Sequence, residues 1–295
     1  QMARVPNAGE TILGDSYCFT PGGKGANAAI AVARLNGDSV FCTRLGNDAH
    51  GRSLISFYEK SGIDTRFVAQ DAETPTGLAS VMVEENGANR IAVFPGANAK
   101  LSRDDVENAM TCFPDAVFIQ FEIPAPIAVY ATQLAKGQGI PVFVDAGPGV
   151  KDFPLNQLEN VEIFSPNETE AYLYTGIQPS NVDNCLRVCM ALTKLVRAKY
   201  YVLKLGGRGA YVYDGMYCRY FPAYDVKAVD TTAAGDAFSA AMTLEYLRTG
   251  DIMRAIEYAN IVGALTVARS GASASVPTTK MVHDFVLKND LQFPL

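Results

Sequence analysis

The sequence predicts an α/β fold whose mostly parallel sheet is covered on both faces by helices. Three observations predict it. Short apolar runs of strand length alternate with longer segments of helical period through most of the chain. The strand runs are apolar along their length, as in Val142-Phe143-Val144, which suits strands buried on both sides. One hairpin signal interrupts the rhythm, two β-rich runs at 78–83 and 91–94 around the polar turn 84–89, and reads as a cover beside the sheet.

Taken in order, residues 9–20 are turn-rich, and Pro21-Gly22-Gly23-Lys24-Gly25-Ala26-Asn27 then opens a small-residue helix that runs to about Leu35. Its glycines let the backbone approach a ligand, and Lys24 and Asn27 put donors beside it. It is not a Walker A loop, because Gly25 follows Lys24 and Cys18 stands where the first glycine would be. A glycine-rich helix start packed closely on a sheet has the same composition. Residues 39–44 read as a strand and 52–60 as a helix. Ser102, with Asp105 three residues on, reads as an N-cap where the rhythm resumes. Strands follow at 117–121, 142–145 and 162–165, and helices at 126–138, 168–174 and 181–197. Residues 201–205, 206–209 and 210–213 form a strand, a glycine turn and a strand.

Ligands of such a sheet gather at the carboxyl ends of its strands. That places Glu122, Asp145, Asn167 and the loop after Leu203 at the functional edge, although strand-end carboxylates are also commonly just solvated. Asn167 and Glu170 are ordinary residues for a helix start when taken alone.

The chain is organised around Val229-Asp230-Thr231-Thr232-Ala233-Ala234-Gly235-Asp236-Ala237-Phe238. It reads as loop, then an amphipathic helix (Phe238, Ala241, Met242, Leu244, Leu247) that stops before Gly250. A helix start built from Ala-Ala-Gly leaves its first N–H groups open to an anion such as a phosphoryl group. Asp236, in the first turn, is favoured as a carboxylate there and can accept a proton from a hydroxyl that attacks phosphorus. A plain helix start with a favourable acid would read the same way. Beyond it, residues 256–268 form a helix with Asn260 as its one polar interruption, and 269–277 reads as a loop rich in carbonyls and hydroxyls, the kind that holds a hard cation or simply connects.

Composition narrows the function classes. Of 295 residues, 48% are hydrophobic, so a large core is available, and an α/β unit of this length can be one domain. With 25 Lys+Arg against 31 Asp+Glu, the net charge of -6 offers no footprint for nucleic acid or an anionic membrane. Small molecules are the expected partners. No apolar run reaches membrane-spanning length and no signal pattern opens the chain, which gives a cytoplasmic expectation. Six cysteines without a Cys-x-x-Cys pair argue against a zinc site or a disulfide framework, and two histidines leave proton transfer to carboxylates.

Gly22-Gly23-Lys24-Gly25-Ala26-Asn27, Asn167-x-x-Glu170, Asp230-Thr-Thr-Ala-Ala-Gly-Asp236 and Gly271-Ala272-x-x-Ser275-x-Pro277 stand in the order and spacing of the ribokinase family, the PfkB carbohydrate kinases, which the chain resembles from about Pro6 to Pro277. The resemblance implies a three-layer αβα sandwich with a small β lid, here from about 1–20 and 64–98 of a single 1–295 domain. It implies transfer of the γ-phosphoryl group of ATP to a sugar hydroxyl, with D-ribose as the leading acceptor. Fructose, 2-keto-3-deoxygluconate or a nucleoside are alternatives, as is a binding protein that keeps the fold without turnover. Residue by residue, it implies Asp236 as base and the amides of Ala233, Ala234 and Gly235 as anion hole. Gly23, Lys24, Asn27 and Glu122 match sugar contacts. Asn167, Lys204, Gly206, Gly209, Gly235 and Asn260 match the nucleotide site, and Glu170 a water-mediated magnesium position. Asp230, the carbonyls of Thr232, Thr266, Arg269 and Gly271, and the Ser275 hydroxyl match a potassium site. A homodimer through the lid is implied as well.

Two departures stand out. Relatives open with a strand and a sugar-gripping segment, and the expectation is that this sequence begins after both. Asp145-Ala146-Gly147-Pro148 replaces the usual Asn-Pro-Ala-Pro, and a carboxylate near nucleotide phosphates is unfavourable unless a cation screens it.

Overall fold

In the computed structural model, residues 2–85, 89–291 and 293 are described. The first helix, α1 (Lys24–Arg34), leads into β1 (Ser39–Val40), β2 (Thr43–Gly46), α2 (Ala49–Lys60), β3 (Ile63–Asp64), β4 (Val68–Asp71) and the hairpin β5 (Leu78–Val83) and β6 (Asn89–Phe94). Then come α3 (Arg103–Met110), β7 (Val117–Ile119), α4 (Ala125–Gly137), β8 (Val142–Asp145), β9 (Val161–Ser165), α5 (Glu168–Thr175), α6 (Val182–Leu192), β10 (Ala198–Lys204), β11 (Ala210–Tyr213) and β12 (Cys218–Phe221). The chain closes with α7 (Ala234–Thr249), α8 (Ile252–Val267), the single turn α9 (Ala272–Ser275) and α10 (Thr279–Lys288).

Six strands form the central sheet in the order β12-β11-β10-β9-β8-β7, parallel from β7 to β10 and antiparallel beyond. Alternate strand residues feed two cores. Phe143, Ile163, Val202 and Val212 face α1, α7, α8 and α10, while Val144, Phe164, Leu203 and Tyr211 face α4, α5 and α6. Each large side chain buried this way contributes about 1.5–3 kcal/mol, so neither face can be uncovered cheaply. The three-layer expectation holds. All six cysteines are free, and Cys185 and Cys189 lie buried in the second core.

Several local expectations change. The run 39–44 is two strands, because β1 pairs with β3 while β2 pairs with β4, and the turn after Asp64 displaces the second partner from the first. The helix expected to reach 197 ends at Leu192, where Leu195 and Val196 donate back to the Leu192 carbonyl and turn the chain into β10. Helix α7 is buried around most of its circumference rather than on one stripe. Ser239, Thr243 and Glu245 are inside with Phe238 and Met242, since sheet, α1 and α8 enclose it, and Arg254 neutralises Glu245 at 2.6 Å. The loop expected at 269–277 contains α9, and β12 and α10 carry no prior expectation.

The hairpin β5–β6 stands apart as a two-stranded antiparallel sheet, with Met2 donating to Val83 alongside it. Of its expected turn at 84–89, residues 86–88 lie outside the described residues. No helix among the described residues is long and apolar enough to cross a membrane.

Candidate active site

Two helix starts meet at one point. Helix α1 begins after Gly23, at φ 95°, and the backbone N–H of Lys24 donates to Glu122 Oε2 at 2.8 Å. Helix α7 begins after Ala233, and its first-turn Asp236 is 6% exposed. Lys24 Nζ reaches Asp236 Oδ1 at 3.1 Å, and Asn27 Nδ2 donates to Oδ2 at 2.8 Å. Gly23, Lys24, Asn27, Glu122 and Asp236 therefore form one cluster, although 212 positions separate Lys24 from Asp236. The Oδ1 of Asn27 is buried without a hydrogen-bond partner, an acceptor positioned for a hydroxyl.

Ala233 sits at φ 62°, ψ 1°, a left-handed conformation that costs a non-glycine residue about 1–2 kcal/mol. The strain is held because the Ala233 carbonyl must accept from Ala237 as the first helical bond while the loop from Asp230 arrives from the side. The N–H groups of Ala234, Gly235 and Asp236 have no carbonyl four residues back and form the positive mouth of α7. That of Ala234 closes a 3.3 Å turn onto Thr231 O. Of the three amides expected at an anion hole, Gly235 keeps its N–H at this mouth, Ala234 turns its own to Thr231 O, and Asp236 adds an N–H that was not expected.

Asp145, expected to be unfavourable beside nucleotide phosphates, does not stand as a lone carboxylate. It is 1% exposed, and Lys204 Nζ meets its Oδ2 at 2.6 Å. Ser239 Oγ donates to the same oxygen at 2.8 Å and lies 3.1 Å from Lys204 Nζ. Burial would raise the Asp145 pKa, but Lys204 and then Lys24 outweigh it and hold the carboxyl below its ordinary value. Burial would likewise lower that of Lys24, and Asp236, Asp145 and Glu170 together lift it above its usual range. The Lys204 ammonium, of a residue matched to the nucleotide site, is engaged inside the protein.

Asn167 and Glu170 form a reciprocal capping box at the start of α5, with Asn167 Oδ1 accepting from Glu170 N at 2.9 Å and Glu170 Oε2 from Asn167 N at 2.8 Å. The second Glu170 oxygen points at Gly147, where a Cβ would collide with it and stand 2.8 Å from Lys24 Cε. Burial, reinforced by Asp145, raises the Glu170 pKa against the pull of Lys204. Gly206 and Gly209 bracket the turn after β10, with Leu205 N donating to Gly209 O at 2.8 Å. Asn260 is buried and donates to Pro222 O at 3.4 Å, just past β12. The six residues matched to a cation site are also drawn together. Asp230 accepts from Thr232 N at 2.9 Å and Gly271 N at 3.1 Å, Arg269 N donates to Thr266 O at 3.3 Å, and Ser275 N to Gly271 O at 3.2 Å. The Ser275 hydroxyl is turned to Ala272 O.

The family model described as pfkB family carbohydrate kinase matches residues 2–279. The chain belongs to that family. This carbohydrate kinase is a phosphotransferase with an alcohol group as acceptor. It is 35% identical to the ribokinase of Staphylococcus aureus over 286 residues, covering 96% of this chain and 93% of that one. It is 28% identical to the deoxyribokinase of Salmonella typhi, over 97% and 94% of the two chains. A structure of Arabidopsis thaliana ribokinase complexed with ribose and ATP superposes with a TM-score of 0.88 at 32% identity, over 99% of this chain and 94% of that one.

Sequence reasoning missed Ser239 and Gly147. Ser239 follows Asp236 by three residues, on the same face of a helix, and that spacing was the available signal. Gly147 gave none, because its part is to leave room for Glu170 and Lys24.

Proposed function

We propose that this carbohydrate kinase transfers the γ-phosphoryl group of ATP to D-ribose, at the terminal hydroxyl. The observation that carries the reading is the meeting of Asp236 with Lys24 and Asn27 at the mouth of α7. Each Asp236 oxygen accepts one hydrogen bond and keeps lone pairs for a sugar hydroxyl. The hydroxyl proton passes to Asp236 as its oxygen bonds phosphorus, and the bond from phosphorus to the ADP oxygen breaks. The N–H groups of Gly235 and its neighbours and the Lys24 ammonium face the negative charge that spreads over the phosphoryl oxygens. Gly23, Asn27 and Glu122 orient the sugar. Asn167, the Gly206–Gly209 turn and Asn260 lie towards the nucleotide.

The donor sets fit two ions. Glu170, buried with one oxygen free of the capping box, suits a water-mediated magnesium position, and magnesium supplies charge neutralisation on the phosphates. Asp230 with the carbonyls of Thr232, Thr266, Arg269 and Gly271 and the Ser275 hydroxyl is an all-oxygen set suited to potassium. An ion there orders the loop that enters α7 through Asp230. The free cysteines accord with a cytoplasmic enzyme.

A second reading, deoxyribose as acceptor, is favoured by the Salmonella relative. ADP release from magnesium-ATP is measured with ribose, deoxyribose, fructose, 2-keto-3-deoxygluconate and nucleosides, in potassium and in tetramethylammonium. Ribose turning over best and only with potassium is the expected result. Preference for deoxyribose transfers the assignment to that sugar, equal rates in both cations remove the potassium site, and no turnover with any acceptor defeats the kinase reading.

The lid is read as a dimer face. Leu78, Val81, Ile91, Val93 and Phe94 on β5 and β6 are each more than half exposed, an apolar concentration that a monomer rarely keeps. Light scattering should give twice the 31.7 kDa chain mass, and a monomer at micromolar concentration would rule the dimer out.

A further inference from the structure

The buried group formed by Asp145, Lys204 and Ser239 joins three elements at the floor of the anion hole. Asp145 ends β8, Lys204 ends β10, and Ser239 sits one turn beyond Asp236 on α7. All three are buried, and each contacts the other two at 2.6–3.1 Å. Lys204 Nζ lies 4.0 Å from where a Cβ on Gly235 would stand, beneath the second residue of α7. Around this point Lys24 interacts with Asp236, Asp145 and Glu170, and Lys204 with Asp145 and Glu170, so that two lysines stand among three carboxylates. Within this group of five the carboxylates outnumber the lysines by one, beside the helix mouth read above as the phosphate site.

We propose that the Asp145–Lys204 pair, tied to α7 through Ser239, is a positioning pair that sets how strongly the anion hole attracts the nucleotide phosphates. This rests on the kinase reading above. Lys204 offsets Asp145 from within the protein and leaves the ligand-facing surface to backbone N–H groups and Lys24. The two members then act in opposite directions on an approaching anion. Removing the lysine charge leaves two carboxylates in excess, and removing the Asp145 charge leaves none. A pair whose only role was packing would have no such sign, because loss of either member leaves a buried polar group unmatched and harms the site in the same direction.

Three variants separate these cases: Lys204→Met, Asp145→Asn, and the two together. Magnesium-ADP affinity is measured by calorimetry, with KM for ATP, KM for the sugar and kcat from initial rates. Lys204→Met should weaken ADP binding about tenfold or more, Asp145→Asn should tighten it severalfold, and the double variant should return to within about threefold of the parent. The shifts should appear in KM for ATP and leave KM for the sugar unchanged. If Lys204→Met does not fold, the comparison of Asp145→Asn with the double variant still decides, since the second substitution must reverse the tightening. Loss of affinity in every variant, or equal shifts in both KM values, overturns the inference. Failure of the parent protein to bind magnesium-ADP would instead bring down the kinase reading on which it stands.

Discussion

Asp236→Asn should lower kcat by about 10²–10⁴-fold, the range over which a positioned general base acts, while magnesium-ADP affinity stays within about threefold of the parent. The side chain keeps its shape, and its remaining oxygen can still accept from Asn27 or Lys24, so α7 and the N–H groups at its mouth keep their places. What is lost is the group proposed to accept the hydroxyl proton. Lys24 also loses its 3.1 Å ion-pair partner, but Asp145 and Glu170 remain near enough to keep it charged. The change should therefore fall on kcat, with KM for both substrates little altered. ADP release with ribose gives the rate, and calorimetry gives the affinity. An Asp236→Asn enzyme that kept a tenth or more of the parental kcat would exclude Asp236 as the base.

What the sequence disclosed divides along a physical line. Features set by local chemistry were legible. The Asn167–Glu170 capping box, the helix start at Ala233 to Asp236, the strand at 142–145 and the glycine turn after β10 all follow from residues within a few positions of each other. Features set by partner choice were not. The run 39–44 has uniform strand character, yet its halves pair with β3 and β4, and no property of the six residues encodes that break. Asp145 looked like an unfavourable carboxylate beside the phosphates because its counter-ion is 59 positions away on another strand. Lys204 matches a nucleotide position by its place in the chain, and nothing in its neighbours in sequence announces that its ammonium turns inward to Asp145. Helix α7 read as amphipathic from Phe238, Ala241, Met242, Leu244 and Leu247, yet the polar Ser239, Thr243 and Glu245 lie inside as well. They are buried because each finds a partner inside: Ser239 on Asp145, Thr243 on the Ser239 carbonyl and Glu245 on Arg254.

The turn after β10, proposed to lie beneath the nucleotide, offers a graded test of how tightly it is built, since its three glycines differ in what a methyl group would meet. Gly209 has φ 100° and ψ -131°, a region closed to residues with a Cβ. A Cβ there would collide with the Phe221 carbonyl oxygen and stand 2.6 Å from Ala223 N and 2.7 Å from the Pro222 carbonyl carbon. Those atoms are backbone at the end of β12, held by the β11–β12 ladder through Ala210 and Phe221 and by Asn260 on Pro222, so they cannot swing aside as a side chain would. Backbone strain and overpacking together should make Gly209→Ala cost about 3–5 kcal/mol, a large part of the stability of a protein this size. At Gly206, with φ 55° but only Glu168 Oε2 nearby at 3.8 Å, alanine should cost about 1 kcal/mol. At Gly207 no atom lies within 4 Å and φ is not positive, so Gly207→Ala should be neutral within about 0.5 kcal/mol. Urea unfolding of the three variants gives the order directly, and a Gly209→Ala midpoint equal to that of Gly207→Ala would show that β12 yields. The same series separates stability from binding. Gly206→Ala and Gly207→Ala should leave the sheet intact, so weaker magnesium-ADP binding in either variant would support the proposed approach of this turn to the nucleotide, and unchanged binding in both would count against it. In Gly209→Ala weaker binding follows instead from displacement of β12 and the Asn260 side chain bound beside it.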